Sequence, residues 1–281
     1  MKNKINIIFG TTASGKTKLG IELAKKLDGV VINYDSMQVY KEIPIISAQP
    51  TDEEKDGVEH LLFGYVSCVE SYSVGRWLDD AIPLIEKKLS ENKTPILVGG
   101  TGMYVKNLID GMPKIPSISV ETKKLLAEWK KFMSSIELHE KLLELDPFMA
   151  DQLNPNDLQR IQRALEVIID TGKSLAVWQN QSAEAYFPKE LFHIIKIEKP
   201  REQIYQNIDL RFLEMIKAGA VDEVLKLYNQ FGNIEYPRAC GLYEIIAYIN
   251  GDITLQEAIE KSQQISRNYA KRQTTWMNHQ I

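Results

Sequence analysis

Cysteine is scarce in this chain: Cys68 and Cys240 are the only two among 281 residues, and neither sits in a C-x-x-C pair. A disulfide framework and a cysteine-built zinc site are therefore excluded. Both thiols are expected to be small buried hydrophobes. The four histidines, His60, His139, His193 and His279, show no metal-ligand spacing and take no role. No apolar run approaches the roughly 18–20 residues that span a bilayer, so no membrane segment is expected. The charged start Met1-Lys2-Asn3-Lys4 runs straight into a strand-like segment, unlike a signal peptide, which implies a cytoplasmic protein. Positive charge is not in excess either: 34 Lys and Arg face 38 Asp and Glu, a formal net charge of −4. General nucleic-acid binders are usually basic. Any nucleic-acid contact here would need a local basic cleft on an acidic body.

What the chain does have is apolar content, 44%, enough for one sizeable core or a core with a modest insertion. Ile5–Phe9 is rich in β-branched residues and stopped by Gly10, the pattern of a buried parallel strand. Lys16–Leu27 has helical periodicity and stops at Asp28-Gly29. Val30–Tyr34 reads as a strand, Leu61–Val66 as a short third one, Ser73–Leu89 as a helix and Thr94–Val98 as a buried strand closed by Gly99-Gly100. Strands alternating with helices predict an α/β fold, a parallel sheet flanked by helices.

The pattern changes after Pro113 and Pro116. Helices are predicted over Val120–Phe132, Ile136–Leu145 and Asn156–Asp170, with no convincing strand before Leu191–Ile197. Helices follow over Glu202–Ala218, Val221–Tyr228 and Thr254–Trp276. The expected organisation is a core of residues 1–112 and 191–281, interrupted by a helical insertion domain over 113–190.

Gly10-Thr11-Thr12-Ala13-Ser14-Gly15-Lys16-Thr17 fits G-x-x-x-x-G-K-[ST] between a strand and a helix. Glycines let the backbone turn its N–H groups inward around a phosphate. The helix opening at Lys16 adds its positive end. Lys16 adds a point charge, and the Thr17 hydroxyl suits Mg²⁺. This is a P-loop NTPase-like arrangement, and it specifies a polyphosphate or diphosphate ligand without specifying ATP. Ordinary P-loop NTPases place an Asp at the end of a second apolar strand. Here Pro95–Val98 runs into Gly99-Gly100-Thr101-Gly102, with no acid.

Several blocks together resemble the tRNA dimethylallyltransferase, or isopentenyltransferase, family. They are the P-loop, with Thr11 where Pro is usual; Asp35-Ser36-Met37-Gln38-Val39-Tyr40; Gly99-Gly100-Thr101-Gly102-Met103-Tyr104; and Asn156–Glu166 followed by Thr171-Gly172. Arg211-Phe212 with Met215 and Gly219, Arg238 with Gly241, and Ala270-Lys271-Arg272-Gln273 with Trp276 complete the series in the family's order. One block departs: Lys41–Ser47 (KEIPIIS) lacks the Gly-rich, Asp-containing continuation expected after Tyr40.

The resemblance implies transfer of a dimethylallyl group from dimethylallyl diphosphate to the exocyclic N6 of the adenine 3′ to the anticodon, position 37, releasing diphosphate. It implies Asp35 as general base, Thr101 near the breaking C–O bond, and Lys16 and Arg211 on the leaving diphosphate. The implied diphosphate cradle is Gly10, Thr11, Thr12, Ala13, Ser14, Gly15, Lys16 and Thr17, with Mg²⁺ at Thr17. The implied tRNA contacts, in the anticodon stem-loop, are Asp35, Ser36, Met37, Gln38, Thr101, Lys123, Gln159, Arg160, Ile161, Gln162 and Arg163. Lys271, Arg272 and Arg267 form a basic stripe that could meet RNA phosphates or pair with acids. Nothing points to an obligate assembly, so a monomer is expected. A P-loop small-molecule or nucleotide kinase is the alternative. It explains the phosphate loop and leaves the other blocks unexplained.

Overall fold

The computed structural model describes residues 1, 4–181 and 183–280; Lys2 and Asn3 of the charged start lie outside them. The chain divides into two compact units, residues 1–109 with 185–281, and residues 110–184.

The first unit begins β1 (Ile5–Gly10), α1 (Lys16–Leu27), β2 (Gly29–Asn33), α2 (Asp52–Lys55), β3 (His60–Leu61), α3 (Val74–Ser90), β4 (Thr94–Gly99) and α4 (Gly102–Asp110). The second holds α5 (Val120–Phe132), α6 (Ser135–Leu145), α7 (Pro147–Asp151), α8 (Leu158–Thr171) and α9 (Leu175–Gln179). The first resumes with β5 (Phe192–Ile197), α10 (Arg201–Lys217), α11 (Ala220–Phe231), α12 (Leu242–Ile249) and α13 (Leu255–Gln280).

All pairings in the sheet are parallel, in the order β3-β2-β4-β1-β5. β1 and β4 lie inside the sheet and are buried along their whole length, which is why both are mostly apolar, with Asn6 and Thr94 the buried polar exceptions. β5 lies at an edge, and its exposure alternates accordingly. Leu23 and Ala24 of α1 pack on Ile8, Val31, Ile96 and Val98. Each large side chain buried this way contributes about 1.5–3 kcal/mol. A second cluster joins Val39, Tyr40, Ile43 and Ile46, from the segment after β2, to Val224 and Leu227 of α11 and to α12. The helical unit has its own core, with Leu126, Leu138, Leu142, Ile161 and Leu165 at its centre.

The third strand is shorter than its sequence suggests. Leu62 and Gly64 take left-handed backbone (φ 62 and 57) and turn the chain away. Tyr65 and Val66 then donate their N–H groups to Val39 O. No helix among the described residues is long and apolar enough to cross a membrane.

Candidate active site

The carboxyl ends of β1, β2 and β4 are neighbours in the sheet, so the loops leaving them converge. After β1, Ala13 (φ 60) and Gly15 (φ 94) adopt left-handed backbone and fold Thr11–Gly15 into a loop, closed by Ser14 N–H to Thr11 O at 3.3 Å. Gly15 caps α1 without any side-chain hydrogen bond, so the first N–H groups of that helix stay available. Ser14 lines the adjoining cavity, and its buried hydroxyl has no partner, an unmet donor that an oxyanion would satisfy. Lys16 Nζ reaches back to Thr11 O at 2.6 Å. Burial pulls the Lys16 ammonium down to about 8; Asp35 opposes that shift and Arg211 adds to it.

β4 carries no acid at its end, as the sequence indicated, but β2 beside it does. Asn33 pairs with Val98, Tyr34 N–H bonds Val98 O at 3.0 Å, and Asp35 follows. Buried Asn33 shapes this exit: its Oδ1 accepts from Asp35 N at 2.7 Å, and its amide donates to Asp35 O and Leu62 O. Asp35 Oδ1 accepts from Met37 N at 3.0 Å, an Asx turn that fixes the carboxylate. Gly99 permits the approach of β4: a Cβ there would lie 2.6 Å from Tyr34 C and 2.7 Å from Asp35 N. Thr101 Oγ1 accepts from Ser36 N at 2.9 Å and donates to Ser36 Oγ at 3.2 Å.

The far helices complete the site. Arg211 of α10 donates to Thr12 Oγ1 at 2.6 Å, and burial lowers its guanidinium pKa against the opposing pull of Asp35. One turn earlier, Asn207 donates to Ala13 O at 3.1 Å. Gln273 of α13 accepts from Thr12 N at 2.7 Å and donates to Gly100 O at 2.8 Å, tying the phosphate loop to the Gly99–Gly102 turn. Tyr269, one turn earlier on α13, lines the same cavity, and burial pushes its phenol up. Trp276 stacks on Phe9 with ring centroids 5.5 Å apart.

These groups surround a cavity of about 460 Å³. Residues 12–17, Asp35, Met37, Gln38 and Arg211 all line it. Thr101, Ser36, Gly10 and Thr11 are not among the residues that line it. Asn207, Tyr269 and Gln273 were not singled out as site residues from the sequence. Only the family-like Ala270–Gln273 block pointed toward one of them.

The remaining expected contacts sort differently. Gln38 spends its amide on Ser47 O and Ala48 O, 3.2 and 2.7 Å away. Lys123, Gln159 and Arg160 are exposed on α5 and α8 of the helical unit. Arg160 pairs with Asp157 at 3.3 Å, Arg163 with Glu166 at 3.2 Å, and Gln162 also reaches Glu166. Ile161 is a correction: its side chain is 0% exposed inside the helical core, so it cannot touch RNA. Cys240 is another. It is only partly buried and lines the cavity, while Cys68 is buried and its thiol is pushed up to about 12 by desolvation and Glu42. Arg267 pairs with Asp209 at 2.5 Å and so leaves the basic stripe. Among the described residues no group of three His, Cys, Asp or Glu could hold a metal ion.

Known proteins share this architecture. The IPP transferase family model matches residues 38–280, and an isopentenyl transferase model matches residues 3–67. A tRNA dimethylallyltransferase of Wolbachia pipientis wMel is 44% identical over 284 residues, covering 100% of this chain and 94% of that protein. One from Rickettsia massiliae (strain Mtu5) is 42% identical over 282 residues, covering 100% of this chain and 78% of its own. Among solved structures, the full-length tRNA isopentenylpyrophosphate transferase of Bacillus halodurans is 37% identical, with a TM-score of 0.69, over 99% of this chain and 88% of that one. A eukaryotic dimethylallyltransferase captured acting on tRNA is 29% identical, with a TM-score of 0.81, over 98% of this chain and 69% of that one.

Proposed function

Because the chain belongs to the IPP transferase family, we propose that it moves the dimethylallyl group of dimethylallyl diphosphate onto N6 of the adenine 3′ to the tRNA anticodon, position 37, and releases diphosphate. One observation carries the reading beyond family membership. The phosphate loop, Lys16, Arg211 and Asp35 all line a single cavity, so an anion cradle and a carboxylate face the same space. The kinase alternative is not favoured, since the relatives with this fold and these blocks are tRNA prenyltransferases.

The chemistry follows from those groups. N6 attacks the allylic carbon, the carbon–oxygen bond breaks, and its electron pair leaves on the diphosphate. Loop amides, Lys16 and Arg211 stabilise that developing charge, and the fork of Arg211 suits two oxygens at once. An adenine amino group is too weak an acid to ionise beforehand. It becomes acidic as the new bond gives nitrogen positive charge, and Asp35 then takes the proton. The Thr101–Ser36 bonds orient the turn carrying Asp35. Mg²⁺ fits the donor set: it keeps most of its water and phosphate ligands and needs only one or two protein oxygens. The Thr17 hydroxyl would hold it, and its charge would further neutralise the diphosphate. The acceptor base must leave its stack to reach a donor held in this cavity, and RNA loops permit this cheaply. Lys123, Gln159, Arg160, Gln162 and Arg163 of the helical unit, with Ser36, Met37 and Gln38, would contact the anticodon stem-loop. The proposal includes action as a cytoplasmic monomer.

The test is direct. The purified chain is incubated with Mg²⁺, dimethylallyl diphosphate and tRNA, and the tRNA nucleosides are analysed by mass spectrometry. One C5H8 addition on the adenosine next to the anticodon is expected. Consumption of labelled ATP without prenylated product would instead support a kinase.

A further inference from the structure

We infer that Glu223, on α11, is a positioning residue for this reaction: its carboxylate pins the 45–48 loop that walls the cavity. The inference rests on the function proposed above.

Residues 43–49 form a single tight turn after Tyr40. Ser47 N–H bonds Ile43 O, Ala48 N–H bonds Ile45 O and Gln49 N–H bonds Pro44 O. The N–H groups at the start of such a turn have no carbonyl behind them. Glu223 supplies the acceptors from another element. Its Oε2 accepts from Ile45 N at 2.8 Å and its Oε1 from Ile46 N at 2.9 Å. Both bonds are charge-assisted, about twice as strong as neutral ones. Among the described residues Glu223 makes no ion pair, so its two oxygens serve this loop alone. Burial raises the carboxyl pKa, and the two amide bonds pull it back.

The pinned turn presents Ile46, Ser47 and Ala48 to the cavity that also contains Asp35 and the phosphate loop. Ile46 is nearly buried, at 4% exposure. Ala48 sits in left-handed backbone, φ 56, which a non-glycine residue adopts only when neighbours enforce it. Gln38 enforces it from one side through Ser47 O and Ala48 O, and Glu223 enforces it from the other. Gln38 belongs to the same short segment as Asp35. The loop therefore couples α11 to the strand exit that carries the carboxylate. Small displacements of such a wall cost rate, because a misplacement of about 1 Å at the reacting atoms can cost about a hundredfold.

The decisive variant is Glu223→Gln in the full chain, which keeps the shape but turns an NH2 toward one of the two amides. Glu223→Asp, with the charge on a shorter arm, is the conservative partner. Amide hydrogen exchange of the 41–49 segment and steady-state kinetics are measured together. For Glu223→Gln we expect exchange at Ile45 and Ile46 to accelerate at least about tenfold. Turnover should fall by about ten- to a hundredfold, with KM for dimethylallyl diphosphate within about twofold of wild type because the cradle is untouched. Glu223→Asp should recover part of both. Unchanged exchange overturns the inference. So does faster exchange with unchanged turnover, or a turnover loss that merely tracks a lower melting temperature. A wild type that prenylates no tRNA overturns the proposed function and the catalytic half of this inference, while the exchange arm still decides the anchoring.

Discussion

Asp35 and Lys16 divide the cavity between proton removal and charge neutralisation, and each predicts its own loss. The Asp35 carboxylate is held by the Met37 N–H and by the Asn33 scaffold beneath it. Asp35→Asn keeps that turn and removes the base. Turnover on tRNA should drop roughly 10²–10⁴-fold, the scale of general-base loss, while tRNA affinity changes little. Turnover near wild type would remove Asp35 from the mechanism. For Lys16 the sign comes from burial, which lowers its pKa to about 8. The charged form binds diphosphate, so donor affinity is intact below that pH and declines as the proton is lost above it, by up to about tenfold per pH unit. Lys16→Arg stays charged throughout and should flatten the profile. In the empty protein the same group acts oppositely. Its charge is disfavoured by folding below about 8, and that penalty fades as pH rises toward the ordinary lysine value of 10.5. At this scale the sequence was legible where chemistry is contiguous. Gly10–Thr17 stands in one stretch, whereas Gln273 meets Thr12 across 261 positions and Glu223 meets Ile45 across 178. No local pattern marks a glutamine or glutamate for such a partner.

The elements were readable where one period dominated. α1 and α5 begin and end where periodicity and caps put them, and β1 and β4 are the most apolar, fully buried runs of the sheet. α4 and α12 were missed for opposite reasons. Gly99–Gly102 punctuates the chain like a loop, although Gly102 opens a helix. Leu242–Ile249 is eight residues of mostly apolar sequence, too short and uniform to show a helical face. α13 shows why the element scale matters for function. It lies far from the phosphate loop in sequence, yet Gln273, near its C-terminal end, bridges Thr12 N–H and Gly100 O. Gln273→Leu should leave both groups unpaired in a buried setting, at about 1–3 kcal/mol each. Denaturant unfolding should show that loss. The donor KM should also rise, because the cradle loses its strut. A stable variant with wild-type KM would mean that the loop holds its own shape.

For the whole molecule, the useful contrast is between total charge and its placement. A chain of net charge −4 must bind a polyanion through a few chosen cations. Composition could not say which, and the series of family-like blocks could only nominate them. The structure narrows the field. Arg267 is committed to Asp209, and Ile161 is buried. Lys123 is exposed, and the Arg160 side chain is 74% exposed beside Asp157. An exposed pair of that kind is worth little, about 0–1 kcal/mol, so Arg160 can exchange Asp157 for a phosphate at small cost. Lys123→Ala and Arg160→Ala should each weaken tRNA binding and reduce the slope of log affinity against log salt by about 0.7–0.9, one phosphate apiece. Arg163→Ala should do less, since its Glu166 partner is mostly buried, at 17% side-chain exposure, and holds it more firmly. Anisotropy titrations of an anticodon stem-loop at several salt concentrations separate these outcomes. Donor KM, read in parallel, should stay put for all three, because their side chains belong to a unit with its own core and none lines the donor cavity. Equal salt slopes in wild type and variants would assign RNA recognition elsewhere, to the Ser36–Gln38 segment or to Lys271 and Arg272 on α13.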